Sequence, residues 1–167
     1  MVAQSYQRLD LAANQLETAI GLFVGGHDKF SVITFAGAAD GILSQLVNNR
    51  GEENFTETFL KKDDDKMLTR GAMGKHVNDI LFINALKHMD ERDDGYIILD
   101  LEQCAVAAIL KAIANYVKLC GHDVDFVQAF LAWVKLNLDP TIYNVDCDPD
   151  WKPSTAAGQA PAAELED

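Results

Sequence analysis

The stretch INALKHMDERDDG, from Ile83 to Gly95, is the clearest functional signal in the chain. His88 can exchange a proton near neutral pH, which suits general acid or base work. Asp90, Glu91, Asp93 and Asp94 could offer oxygen ligands to a cation, and Gly95 the sharp turn that a calcium loop needs. With Gly95 at the sixth loop position, Asp90 falls first, Asp94 fifth and Ile97 eighth. The third position is then Arg92 and the twelfth is Leu101, with Glu102 one residue late. A cation in place of a ligand, and no closing carboxylate, argue against useful calcium affinity. The stretch is better described as a polar turn after a helix that ends near His88. In that setting the imidazole would interact with the helix dipole and the last carbonyls.

Other groups are weaker candidates. Arg70 and His76 in RGAMGKH form a second arginine–histidine pair, although Gly71 and Gly74 work against a helix across that span. His27 and His122 precede Asp28 and Asp123 at expected helix starts, where capping explains the acids and solvent the histidines. A metal site from His122, Asp123, Asp125 and Asp146 has no supporting ligand spacing. Phe130 and Trp133 are expected in the core rather than on a base-stacking platform. The sequence contains no phosphate-cradling glycine loop and no serine-nucleophile motif. No metal and no cofactor are expected.

These groups need elements to position them. Tyr6, Leu9, Ala13, Leu16, Ile20 and Phe23 recur at steps of three and four, one stripe of an amphipathic helix that Gly25-Gly26 ends. Asp28 caps a second helix whose stripe is Val32, Phe35, Ala36, Ala39, Leu43 and Leu46. Its small residues Ala36, Gly37, Ala39 and Gly41 invite close approach by another helix. The short connection predicts that these two helices pack antiparallel. Asn48 to Met73 is polar and is expected as a solvated excursion with one helical turn from Thr56 to Lys61. A third long helix is predicted from about Gly74 to His88, carrying Val77, Ile80, Leu81, Asn84 and Leu86. Tyr96 to Leu99 is a short apolar run of β-type residues. Asp100 then caps a helix with Gln103 as its capping-box partner, Val106, Leu110, Ile113, Val117 and Leu119 inward, and Gly121 at its end. Asp123 or Asp125 starts a last helix with Phe126, Ala129, Phe130, Trp133 and Leu136 inward, and Pro140 beyond it. From Asp148 the composition turns to Pro, Ala, Gly and acids. The expected organisation is one helical domain over 1–147 and a tail over 148–167, with an all-α antiparallel bundle of four or five helices.

Composition narrows the function classes. The chain has 167 residues, 49% of them hydrophobic, enough for one domain with a sizeable core. Its net charge of −12 opposes non-specific adhesion to nucleic acid and anionic membranes. Lys and Arg never cluster beyond Lys61–Lys62. The N-terminal MVAQSYQRLD lacks the apolar core of a signal peptide. No apolar run approaches the ~20 residues of a membrane helix, the longest, Ala105 to Val117, being interrupted by Lys111 and Asn115. Cys104, Cys120 and Cys147 are odd in number and lack CxxC spacing, which suits reduced thiols in a cytoplasm.

The order of elements resembles the HEPN superfamily: two antiparallel helices, a polar excursion, a helix ending in N-x-x-K-H, then two more helices. The phrases that carry the resemblance are LAANQLETAIGLF (Leu11 to Phe23), SVITFAGAADGIL (Ser31 to Leu43), NALKHMD (Asn84 to Asp90) and AIANYVKLCG (Ala112 to Gly121). They are most similar to a group of small uncharacterised bacterial proteins. The superfamily's signature is an arginine followed, after four to six residues, by a histidine on one helix of a dimeric bundle. Active members cleave RNA without metal, and two copies of the motif build one site across the dimer. Such a histidine could shuttle a proton during 2′-hydroxyl attack, and such an arginine could hold the scissile phosphate. Here His88 matches the histidine and Asn84 the polar residue after the arginine, but the arginine position holds Ile83. The adjacent Lys87 points about 100° away from His88 on a helix and offers no bidentate fork.

The resemblance therefore implies a HEPN-like protein without the catalytic arginine. It would be a non-catalytic binding or interaction module and a homodimer, with a nucleotide or an antitoxin-like protein as further partner. Two alternatives remain: a metal-independent ribonuclease using His88 with Arg70 or Arg92, and a structural or small-ligand-binding bundle unrelated to RNA.

Overall fold

The computed structural model describes residues 3–62, 78–79, 81, 83–86 and 95–138. Its described residues form five α-helices and no strand: α1 (Arg8–Val24), α2 (Lys29–Asn49), α3 (Phe55–Lys62), α4 (Leu101–Cys120) and α5 (Asp125–Asn137). The expected all-α class holds for this part of the chain. Helices α1 and α4 both pack extensively on α2, and α1 also meets α5.

Local chemistry explains most boundaries. The Asp28 carboxylate accepts from the amides of Phe30 (3.3 Å) and Ser31 (3.0 Å), satisfying donors that the first turn of α2 leaves open. The Ser31 hydroxyl joins them, and these bonds hold the Asp28 carboxyl below its ordinary pKa. Asp100 caps α4 in the same way through the amide of Gln103 at 3.0 Å. Gly121 ends α4 at φ +76°, a backbone angle that side chains disfavour. Asp123 does not cap α5. That position is taken by Val124, which makes no side-chain cap, while Asp123 accepts from Gln128.

The core is Ala12, Leu16, Ala19, Ile20 and Phe23 of α1, the Val32–Val47 face of α2, and most of α4. Ten residues of α4 are buried, so this helix is enclosed on several sides rather than along one stripe. Phe23, Phe130 and Trp133 close one end of the core ring on ring, with Phe23 edge-on to the other two at 5.9 and 5.1 Å. Phe130 is fully buried, as expected.

Several expectations need correction. Tyr6 precedes α1 and is exposed, and Phe35 is exposed too. The inward face of α5 is Val127, Phe130, Leu131 and Val134, whereas Ala129 and Leu136 face outward. Both stripes fit a helical period and share Phe130, and only the packing of Val127, Leu131 and Val134 into the core selects between them. The polar excursion is not solvated at its start, because Asn54, Thr56 and Glu57 are buried. Lys118 reaches the Glu53 carbonyl at 2.6 Å and Arg50 the Leu119 carbonyl at 3.0 Å, tying the α2–α3 connection to the end of α4. Within the predicted 74–88 helix, Asn78 and Asp79 are helical, but Leu81 and 83–86 are in turns. The Ile83 amide donates to the Asn78 carbonyl five residues back at 2.9 Å, a wider closure than an α-helix makes. Residues 96–99 are irregular, with Ile98 93% exposed. By length and composition α2 and α4, with mean hydropathy 1.4 and 1.3, match a membrane-crossing helix, but 44% and 56% of these stretches are buried within the bundle, and buried core helices meet the same criterion. The residues beyond 138, including the expected tail, lie outside the described residues.

Candidate functional site

The buried face of α2 contains one charge, Asp40, and the buried face of α4 contains Lys111 and Asn115. Lys111 and Asn115 are four residues apart, so they lie on one side of α4 a turn apart. Both point at Asp40. The Lys111 ammonium donates to Asp40 Oδ2 at 2.5 Å, and the Asn115 amide donates to Oδ1 at 2.7 Å. Asp40 and Lys111 are each only 4% exposed. Charges so deep are tolerated because each has an opposite charge and further hydrogen bonds.

The network extends beyond the two helices. The Asn115 carbonyl oxygen accepts from the Phe55 amide at 2.8 Å, pinning the first residue of α3 to α4. Asn54 caps α3: its Oδ1 accepts from the Glu57 amide at 3.0 Å, and its Nδ2 donates to Glu57 Oε1 at 3.2 Å. Lys111 Nζ also donates to Asn78 Oδ1 at 2.8 Å. Four separate stretches thus meet at one ion pair. Beside it lies a polar cleft of about 120 Å³, walled by Gly41, Ser44, Thr56 and Asn78 with the ion pair itself.

Asn78 begins the stretch that holds the sequence-expected site residues. Ile83 is 2% exposed and belongs to the apolar core. It lies directly over Gly37 of α2, so close that a Cβ on residue 37 would stand 2.6 Å from Ile83 Cγ2. The close approach foreseen for the small residues of α2 therefore occurs at Gly37, but with this turn rather than a regular helix. At Gly41 a Cβ would meet nothing within 4 Å. Asn84 is half-buried and donates from Nδ2 to Asp79 Oδ1 at 2.8 Å. His88, Arg70 and His76 lie outside the described residues, so the structure places only Asn84 among the expected site groups.

The acids of the calcium-loop reading that the sequence argues against, Asp90, Glu91, Asp93 and Asp94, lie outside the described residues, as does Asp146. Among the described residues no three His, Cys, Asp or Glu side chains are gathered as a metal site, so His122, Asp123 and Asp125 do not form one. Cys104 is buried and Cys120 exposed, and both are free thiols. Burial, and then the nearby Asp100, push the Cys104 thiol up. Tyr116 is pushed up to about 12, first by burial and then by Cys120.

Sequence reasoning missed the Asp40–Lys111–Asn115 network, noting Lys111 and Asn115 only as interruptions of an apolar run. The signal was present, because a charge centred in an apolar stripe must find a partner when the stripe is buried. No family model, no curated protein and no solved structure matches the chain.

Proposed function

We propose that this chain is a non-catalytic binding and interaction module on an antiparallel HEPN-like bundle, and that it works as a homodimer in a reducing cytoplasm. The observation that carries this reading is Ile83. The position where the resemblance implies a phosphate-holding arginine is 2% exposed and packed on Gly37. A guanidinium there would meet apolar side chains in place of a substrate, and its charge would be buried without a partner. The free thiols of Cys104 and Cys120 support a reducing compartment. The dimer would form on the surface around Asn84 and His88, burying at least ~1,000 Å² in total. Ala36, Gly37 and Ala39 are buried within the single chain and do not contribute. A nucleotide or an antitoxin-like protein is the further partner the resemblance implies.

The test measures mass by light scattering at micromolar concentration and RNA cleavage by wild type and His88→Ala. The expected result is a dimer that cleaves no RNA in either form. A monomer would remove the assembly, and cleavage lost on His88→Ala would establish a ribonuclease instead.

A further inference from the structure

We propose that the outward face of α2 is the surface on which two copies of this chain meet. The inference rests on the homodimer reading above and names the face that forms the contact. The first observation is an absence of charge. The only charged residues of α2 are Lys29 and Asp40. Lys29 pairs with Glu102 at the helix start, and Asp40 is buried against Lys111. The outward side, from Phe30 through Thr34, Ala38 and Gly41 to Gln45, is therefore neutral. Each of the other long helices shows charge on its exposed side: Glu17 on α1, Lys118 on α4 and Lys135 on α5. The second observation is apolar exposure. Phe30 is 49% and Phe35 38% exposed. Helices α1 and α4 cover two sides of α2, and the turn carrying Ile83 covers Gly37. The neutral face lies on the side that these leave open.

Charge, shape and area point to a second copy as the occupant. Each copy has a net charge of −12, so like charges oppose their meeting except on a face that has none. A basic partner would be drawn to the acidic surface elsewhere, and an anionic bilayer would be repelled. Ala38 lies mid-face. With the two helices antiparallel and a two-fold axis passing Ala38, Phe35 of each copy lies beside Ile42 of the other. Thr34 then lies beside Gly41, where a Cβ would find open space. Each edge of the face thus meets itself, as an isologous contact requires. A helix of this length is about 30 Å long and ~10 Å across, so each copy offers roughly 300 Å². Two copies fall short of the ~1,000 Å² of a stable contact. The turn that carries Ile83 and Asn84 adjoins this face at Gly37 and supplies the remainder.

The test is sedimentation of the full chain at micromolar concentration, for wild type, Thr34→Glu, Thr34→Lys and Leu136→Glu. Thr34 is exposed, so both of its variants should keep wild-type helicity and unfolding midpoint. Each should raise the dimer dissociation constant at least about tenfold, because either charge would be buried in a neutral contact. Leu136→Glu, at a position 85% exposed on α5, should leave the dimer intact. A wild-type dimer that persists in both Thr34 variants would overturn this inference and leave the homodimer reading standing on another surface. Dissociation by Thr34→Glu but not by Thr34→Lys would also overturn it, showing repulsion between acidic chains in place of burial. So would equal dissociation by Leu136→Glu. A wild-type monomer would remove the homodimer reading and this inference together. A monomer that also sediments with neutral phosphatidylcholine vesicles would assign the face to lipid.

Discussion

Phe23, Phe130 and Trp133 meet ring to ring where α1 joins α5, whereas Asp40, Lys111 and Asn115 meet through charge and hydrogen bonds where α2 joins α4. Both clusters are buried, yet they constrain the chain differently. The rings need only apolar bulk of about the right shape, so neighbours can adjust when one changes. The polar group has fixed donors and acceptors, and removing any one strands the others in a medium that does not solvate them. It also reaches further along the sequence, fixing Phe55 and Asn78 as well as two helices. The aromatic end supplies burial, and the polar centre specifies which segments meet.

The contrast is broken most sharply by removing one charge. Lys111→Met should lower stability by about 3–5 kcal/mol in urea unfolding, because Asp40 stays buried without its cation. That is a large share of the roughly 5–15 kcal/mol of a typical domain. Asp40→Leu combined with Lys111→Met should recover only part of that loss, since the pair's desolvation cost disappears with the pair but the buried Asn115 amide loses its acceptor, at about 1–3 kcal/mol. At the aromatic end, Phe130→Leu should cost only about 1–2 kcal/mol in the same assay. Equal losses for Lys111→Met and Phe130→Leu would erase the distinction.

Gly37→Ala probes the contact between α2 and the turn that carries Ile83. The added methyl would stand 2.6 Å from a branch of Ile83, while alanine improves the helix by about 1 kcal/mol. Overpacking of roughly 1–3 kcal/mol should win, leaving a net loss near 1 kcal/mol in thermal unfolding. The smallest effect is spectroscopic. Tyr116 holds its proton up to about 12, against about 10 for free tyrosine, so the folded state binds that proton more tightly. Its contribution to stability is intact below pH about 10 and fades as pH climbs through about 12. Tyrosinate absorbance should show a late component that Tyr116→Phe removes.

Periodicity and caps made the helices legible. Asp28 and Asp100 cap α2 and α4 where the sequence places them, and Gly121 ends α4. The rotation of α5 was not legible, because two apolar stripes share Phe130 and only packing chooses between them. Nor was burial of Asn54, Thr56 and Glu57, where Asn54 caps Glu57 and the Phe55 amide reaches Asn115 of α4, a long-range contact that no local pattern reveals. The ion pair joins residues 71 positions apart, so its members were visible separately but their meeting was not. For Ile83 the sequence showed an apolar residue where the proposed resemblance expects an arginine, and the structure adds what the isoleucine does: it packs on Gly37.

That packing role is tested most directly by placing an arginine at position 83. Ile83→Arg should be measured for thermal unfolding and for cleavage of single-stranded RNA, beside wild type and the double variant Ile83→Arg/His88→Ala. The account predicts a clearly lowered unfolding midpoint and no cleavage, because position 83 is buried in the core. An unchanged midpoint together with RNA cleavage that depends on His88 would contradict it and show a catalytic site missing one side chain.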